Sequence, residues 1–478
     1  MWQPVFMISG YILGILGLIM LIPAGLDVSH LNSIDSPFII SAVISMFFGF
    51  MLFLSGYTKI ERITLKQGYL ITACSWILVI IFSAVPFILH NSVSGITDAV
   101  FESTSGITGT GATIMTDVES LPHSILLWRS LLNYIGGLGI VIFTVALLPF
   151  LGIGGMQIFQ RENSDSNDKF MPKFSYIAKR IVAVYLLLTT FAVGSLLLCG
   201  MNVFDAINHA MSAIGTGGFS TKNNSVAAFN STSVEIVIML FMLAGALPMT
   251  FYILLLRKAG ADKNSQVHTF LHTILILSLL TGIYLYLSSD FSLLKSMRQG
   301  FFTVIATVTT TGLAACDYTQ WGIWATALIL FLSLLGGCTG STTGSIKIFR
   351  WQVIYSFLHK YLLSAIEPNR IVPLKIGSVN LPEKVTMSVF VYVFSFLISL
   401  VILTLLVSSC GVDFQTSIAA VTACISNVGV GAINAIGPSG NYAFFSDFVK
   451  GILCFAMLLG RLEIITLLVV FSKSFWRI

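Results

Sequence analysis

A run of small and hydroxyl-bearing residues, Ser105-Gly106-Ile107-Thr108-Gly109-Thr110-Gly111-Ala112-Thr113, stands out in this 478-residue chain. Related runs follow at Gly215-Thr216-Gly217-Gly218-Phe219-Ser220-Thr221, Thr309-Thr310-Thr311-Gly312-Leu313 and Ser426-Asn427-Val428-Gly429-Val430-Gly431. Glycine admits backbone conformations that turn successive carbonyls to one side. A ring of carbonyls replaces the hydration shell of a monovalent cation, as in potassium filters. Four such runs suit a fourfold ring, whose expected residues are Thr110, Gly111, Thr216, Gly217, Thr311, Gly312, Val428 and Gly429. Hydroxyls of Thr110, Thr216 and Thr311 are expected to add ligands at its inner end. Oxygen ligands exclude a soft transition metal, and the lack of an Asp or Glu ring argues against calcium. One glycine aligned in all copies, with Val428 where the others carry Thr, predicts a simple filter. It should pass potassium and rubidium with some sodium leak.

The frame around these runs is apolar. Hydrophobic residues make up 56% of the chain and charged residues only 9%, against about 25% charged in soluble domains. That deficit excludes a cytosolic globular enzyme. Apolar runs near 20 residues long indicate an integral α-helical membrane protein rather than a β-barrel of short alternating strands. The first run, from Pro4 to Leu26, has no basic residue before it and reads as a retained helix. Seven cysteines form no CxxC and no His/Cys cluster, so neither metal nor disulfide chemistry is expected.

After two helices at roughly 5–26 and 38–57, a unit repeats four times: an apolar run, a shorter semi-apolar segment, a Thr/Gly stretch and a second apolar run. The divisions are 1–66 for the two N-terminal helices, then 67–160, 161–262, 263–360 and 361–478. The aligned glycines are Gly111, Gly217, Gly312 and Gly429, at a spacing too long for a solenoid repeat. The short segments cannot span a bilayer and are expected to be re-entrant. Asp98, Asp205 and Asp413 begin three of them, as suits a helix start, and Ser296 begins the third. Each helix would aim its partially negative C-terminal end at the pore. The expected fold is therefore all-α and polytopic, with two N-terminal helices and four helix–pore loop–helix repeats around a central pore.

Ten spans place both termini in the cytoplasm. Of the 25 Lys and Arg, those on the alternate connections agree, including Lys59, Arg62, Lys66, Arg161, Lys169, Lys347, Arg350 and Lys473. No basic patch suits nucleic acid, and no phosphate-loop motif suggests an ATPase.

Two further features interrupt apolar spans. Gly336, Gly337, Cys338, Thr339, Gly340, Ser341, Thr342, Thr343 and Gly344 interrupt an apolar span and should break its helix near mid-membrane. Arg461 is a charge within the final span, and it cannot pair with Glu463 along one helix face. Glu102 and His209 read as scaffold behind the ring, Arg129, Asn133 and Lys450 as interfacial, and Asn434 and Asp447 as vestibule residues.

The motifs Phe101-Glu102-Ser103-Thr104-Ser105-Gly106, Gly136-Gly137-Leu138-Gly139-Ile140, Leu151-Gly152-Ile153-Gly154-Gly155-Met156-Gln157, Gly217-Gly218-Phe219-Ser220-Thr221, Gly336–Gly344 and Gly460-Arg461-Leu462-Glu463 resemble the Trk/Ktr/HKT superfamily of potassium transporters. The two extra N-terminal helices make the bacterial TrkH/TrkG branch the nearest match. The resemblance covers essentially the whole chain. It implies potassium uptake across a bacterial inner membrane through a gated, channel-like pore, with potassium as substrate and no organic cofactor. It also implies that Gly336–Gly344 is a gating loop with Arg461 as a cationic barrier. The implied partners are a second copy in a homodimer, membrane lipid and a TrkA-type cytosolic ring binding nucleotides of the NAD(H)/ATP/ADP class. The competing reading is a potassium carrier coupled to proton or sodium symport, which needs a buried carboxylate on the path.

Overall fold

The computed structural model describes residues 2–31, 36–58, 64–151, 170–256, 264–370, 372–377 and 379–477. The Gly152–Gln157 motif and the basic residues Lys59, Arg62, Arg161, Lys169, Arg257, Lys258 and Lys263 lie outside them. The described chain is mostly helical, with one two-stranded hairpin pairing Lys375–Ile376 with Val379–Asn380.

Seven described helices are long and apolar enough to cross a membrane, among them Leu65–Leu89, Ser265–Ser288 and Glu383–Ser409. The N-terminal pair Trp2–Leu31 and Pro37–Ser55 pack backbone to backbone. A Cβ on Gly10 would lie 2.6 Å from the Gly49 carbonyl, so glycine permits the close approach that substitutes for a hydrophobic driving force in lipid.

Three inner helices depart from straight spans. Thr232–Ala246 and Met249–Leu256 meet at 93°, and Asp447–Arg461 and Ile464–Phe471 meet at 111°. Both had been expected as continuous, because an apolar run shows length but not direction. The third helix stops at Leu335, as the glycine-rich stretch predicted, and resumes as Ile348–Ile366. The chain after Arg350 thus continues as helix to Ile366.

Between the spans of each repeat lies a short helix: Ile96–Thr108, Val203–Gly215, Leu293–Val308 and Phe414–Ile425. At about 1.5 Å per residue these fall short of a hydrocarbon core about 30 Å thick, and their C-terminal halves are buried. Asn202, Ser292 and Asp413 cap the last three through side chains that accept the N–H groups of Asp205, Lys295 and Thr416. The third begins at Leu293, earlier than the expected Ser296, because Ser292 is its cap.

Candidate functional site

The four short helices end in one way. Gly109 N–H donates to Gly106 O at 3.0 Å and Thr110 N–H to Ser105 O at 2.9 Å. The same two bonds recur at Thr216 and Gly217, at Thr310 and Thr311, and at Asn427 and Val428. This is the Schellman closure, which needs a left-handed residue after the helix. Gly109, Thr216, Thr310 and Asn427 take that conformation, with φ of 63°, 49°, 54° and 55°. Two residues later the backbone is left-handed again, at Gly111, Gly218, Gly312 and Gly429, with φ of 80°, 79°, 73° and 78°. The second loop therefore runs one residue later than the sequence alignment had it. Its special glycine is Gly218, and Gly217 stands level with Thr110, Thr311 and Val428.

These glycines close the loops into a ring. A Cβ on Gly111 would lie 2.3 Å from the Gly217 carbonyl oxygen, on Gly218 2.2 Å from that of Thr311, on Gly312 2.1 Å from that of Val428, and on Gly429 2.1 Å from that of Thr110. Each loop touches the next through bare backbone, and the fourth returns to the first. A cavity opens directly onto Gly111, Gly218, Gly312 and Gly429. Irregular backbone at this depth is tolerated only where protein buries it or water reaches it.

The expected hydroxyl ligands are all held by protein partners. Thr110 Oγ1 lies 2.7 Å from Thr108 Oγ1 and accepts from Asn427 Nδ2 at 3.0 Å, while Thr311 Oγ1 lies 2.8 Å from Thr309 Oγ1. Thr216, at the cap position, donates to Thr342 Oγ1 at 3.0 Å.

Behind the ring, Glu102 is fully buried. It accepts from Thr113 Oγ1, from Ile114 N–H at 3.1 Å and from Arg129 Nε at 2.8 Å. Arg129 also donates to the Ser220 carbonyl at 3.2 Å and lies 4.1 Å from the Phe219 ring centre, so it ties the first loop to the second. His209 bonds Ser220 Oγ at 2.9 Å, eleven residues further along the chain, the same separation as between Glu102 and Thr113. Glu102 and His209 are thus scaffold, as read. Arg129 and Asn133 are not interfacial, being 2% and 0% exposed. A Cβ on Gly217 would lie 2.2 Å from Asn133 Cγ, which explains a glycine where the other loops carry Thr or Val. Lys450 is buried too, against Asp98 at 2.6 Å. Neither Asn434 nor Asp447 lines the cavity.

On the far side of the ring from the cavity, the interrupted third helix sends residues 336–347 across the centre. Gly344 N–H donates to Thr310 Oγ1 at 3.0 Å, and Thr342 Oγ1 donates to Ile214 O and Gly245 O at 3.1 Å. Arg461 reaches the same loop: its guanidinium donates to Thr342 O at 2.6 Å and Gly136 O at 3.1 Å. Arg461 is 3% exposed and has no carboxylate partner among the described residues. Its Nη2 sits 3.4 Å from where a Cβ on Gly109 would be, directly under the first loop.

One cluster escaped the sequence reading. Glu463, at the bend of the last span, pairs with Lys347 at 3.4 Å and with Arg350, whose guanidinium stacks 3.5 Å from the Tyr392 ring centre. Lys347 and Arg350 had been counted among the cytoplasmic loop charges. They are 4% and 3% exposed, and their signal was a carboxylate in an apolar run that needed a cation.

Four short helices converging on a closed backbone ring, within a frame of membrane-length helices, define a polytopic membrane protein of the four-repeat, re-entrant-loop class. The chain belongs to the TrkH family, described as cation transport protein, whose match spans residues 34–478. It is 38% identical over 415 residues to the Trk system potassium uptake protein TrkI of Halomonas elongata, covering 86% of this chain and 84% of the relative. To the Trk system potassium uptake protein TrkH of Escherichia coli K12 it is 31% identical over 465 residues, 96% of each chain. The crystal structure of the potassium transporter TrkH from Vibrio parahaemolyticus superposes with a TM-score of 0.92 over 100% of both chains, at 29% identity.

Proposed function

We propose that this protein takes up potassium across a bacterial inner membrane through a gated, channel-like pore. The observation that carries the reading is the closed backbone ring, in which four left-handed glycines each abut the carbonyl of the next loop. The filter consists of the carbonyls of Thr110, Gly111, Gly217, Gly218, Thr311, Gly312, Val428 and Gly429, with Thr216 as cap rather than ligand. A carbonyl filter selects by replacing hydration, and the single glycine per loop keeps it short. Relatives named as potassium uptake proteins support potassium as the substrate.

The loop from Gly336 to Gly344 is the gate, and Arg461 is its electrostatic lock, because a cation with no carboxylate partner beneath the ring repels a passing one. Conduction requires both to move aside. The units 1–66, 67–160, 161–262, 263–360 and 361–478 act as a two-helix bracket and four quarters of one pore. Each chain conducts by itself within a homodimer, with both termini cytoplasmic. A TrkA-type cytosolic ring that binds nucleotides controls the gate, since no long described connection in this chain offers a ligand domain of its own. Among the described buried carboxylates near the pore helices, Glu102, Glu235 and Glu463 each face an Arg or Lys and Asp205 is bonded by Asn202 and Thr221, which favours a channel over a proton-coupled carrier.

Single-channel recording on purified protein in opposed potassium and sodium gradients tests the reading. The reversal potential should follow the potassium gradient. Insensitivity to potassium removes the proposal, and a shift with pH transfers it to the coupled carrier.

A further inference from the structure

The four loops agree up to the filter glycine and differ in what holds the carbonyls around it. Two residues past the glycine, every loop has its carbonyl claimed by protein. Thr113 O accepts from Tyr442 N–H at 2.8 Å, Ser220 O from Arg129, Ala314 O from Ala227 N–H at 3.1 Å, and Gly431 O from the Tyr318 hydroxyl at 3.0 Å. Those bonds hold the four loops just past the filter glycine. At the glycine step itself the loops part company. Gly429 O accepts from the Tyr442 hydroxyl at 2.8 Å, and Val428 O accepts from Val430 N–H at 3.0 Å. Among the described residues no protein donor reaches the corresponding carbonyls of Thr110, Gly111, Gly217, Gly218, Thr311 or Gly312.

We propose that Tyr442 is a selectivity-determining residue, whose hydroxyl draws the Gly429 carbonyl away from the ion and leaves three strong ligands and one weakened ligand at that level. This rests on the carbonyl-filter reading above. A carbonyl already accepting a hydrogen bond has part of its negative potential satisfied. Potassium preference depends on the number and field strength of the carbonyls that replace water. Three strong ligands leave a place for a retained water, which suits the smaller, more strongly hydrated sodium ion. Tyr442 is placed to hold this arrangement firmly. It is 2% exposed, its ring lies 5.6 Å from that of Phe101, and its backbone is tied to the first loop through Thr113.

The experiment is the potassium-to-sodium permeability ratio, read from bi-ionic reversal potentials of the full chain in planar bilayers. Tyr442→Phe keeps the ring packing and frees the Gly429 carbonyl, so the ratio should rise several-fold. Tyr318→Phe removes the matching hydroxyl bond above the filter and should leave the ratio where it was. Incorporating difluorotyrosine at position 442, a stronger donor of the same shape, should lower it, and this arm stands even if the phenylalanine variant does not fold. A ratio unchanged or reduced in Tyr442→Phe, unchanged or raised with difluorotyrosine, or moved equally by Tyr318→Phe overturns the proposal. Failure of the filter reading is distinct, because the wild-type reversal potential would then ignore potassium altogether.

Discussion

The ring and the layer beneath it are built by opposite means. The ring is backbone: four loops with different side chains, Thr110, Gly217, Thr311 and Val428 at one level, adopt one conformation because each short helix closes through the same pair of hydrogen bonds. The layer beneath is side chain, and nothing in it repeats. Arg461 is present once, the loop 336–347 once, and the Lys347–Glu463–Arg350 cluster once, all from the third and fourth repeats. Fourfold geometry is thus retained where four equivalent carbonyls are useful. It is abandoned where one loop has to cross the axis. Backbone geometry tolerates sequence drift, whereas a buried charge requires one particular partner.

That contrast ranks the effects of mutation. The largest should come from the side-chain layer. Glu463→Gln leaves Lys347 and Arg350 buried without a countercharge, and removing one partner of a buried pair costs about 3–5 kcal/mol. Purified protein should show a clearly lower melting temperature and poor folded yield; an unchanged melting temperature would mean that the cluster is solvated. Next is the ring. Gly312→Ala drives a Cβ into the Val428 carbonyl, and overpacking of this kind costs about 1–3 kcal/mol, besides the left-handed strain. Gly200→Ala is the matched control: it ends its helix through the same pair of hydrogen bonds, with φ of 88° and nothing within 4 Å of the added carbon. Potassium current should vanish in the first and persist in the second. Equal currents would show that the ring tolerates a wider radius than its contacts imply.

A smaller effect on folding but a visible one on flux is expected from the proposed gate. Arg461→Ala removes a cation held, among the described residues, only by the carbonyls of Thr342 and Gly136, and deleting Cys338 to Gly344 removes the loop it anchors. Both should raise single-channel open probability. Unchanged flux in the two would reduce the loop to a passive kink.

How much of this was legible in the sequence follows the same division. The re-entrant loops and the break after Leu335 were readable because glycine and threonine clusters contrast with apolar surroundings. The register of the second loop was not, because Gly217 and Gly218 are adjacent and only the left-handed φ of Gly218 separates them. Asn133 explains that doublet, but it lies on a different helix, and contact between distant positions leaves no mark in a single chain. Arg129 was misread as interfacial for the same reason: its partner Glu102 comes 27 residues earlier, and only the packed fold brings the two to 2.8 Å. The two helix bends were marked by Pro248 at one break and by Arg461 and Glu463 at the other, but the apolar runs on either side are together long enough to read as one span, and neither mark gives a direction.

The smallest effect is expected at the outer rim, where the first two loops are strapped together in water. Asn223 Nδ2 donates to Asp117 Oδ1 at 2.9 Å and its Oδ1 accepts from Val118 N–H at 2.7 Å. The Asn223 amide holds the Asp117 carboxyl below its ordinary value, with help from Ser120 and the Glu119 backbone. A carboxyl depressed in the folded state contributes above its unfolded value, about 3.9, and loses that contribution as pH falls through the lower folded value. The strap is therefore constant across neutral and mildly acid pH and slackens only in strong acid. The neighbouring Lys222–Glu119 pair, at 3.7 Å and well exposed, adds little and is screened by salt. Single-channel conductance should stay flat as external pH falls from about 8 to about 5, the range in which a group of ordinary aspartate pKa remains ionised. Asp117→Asn, which mimics the acid form, should change it only slightly. A titration with a midpoint inside that range would place a pH-sensitive group nearer the ion than Asp117, and would break the separation between a backbone ring indifferent to pH and a charged layer beneath it.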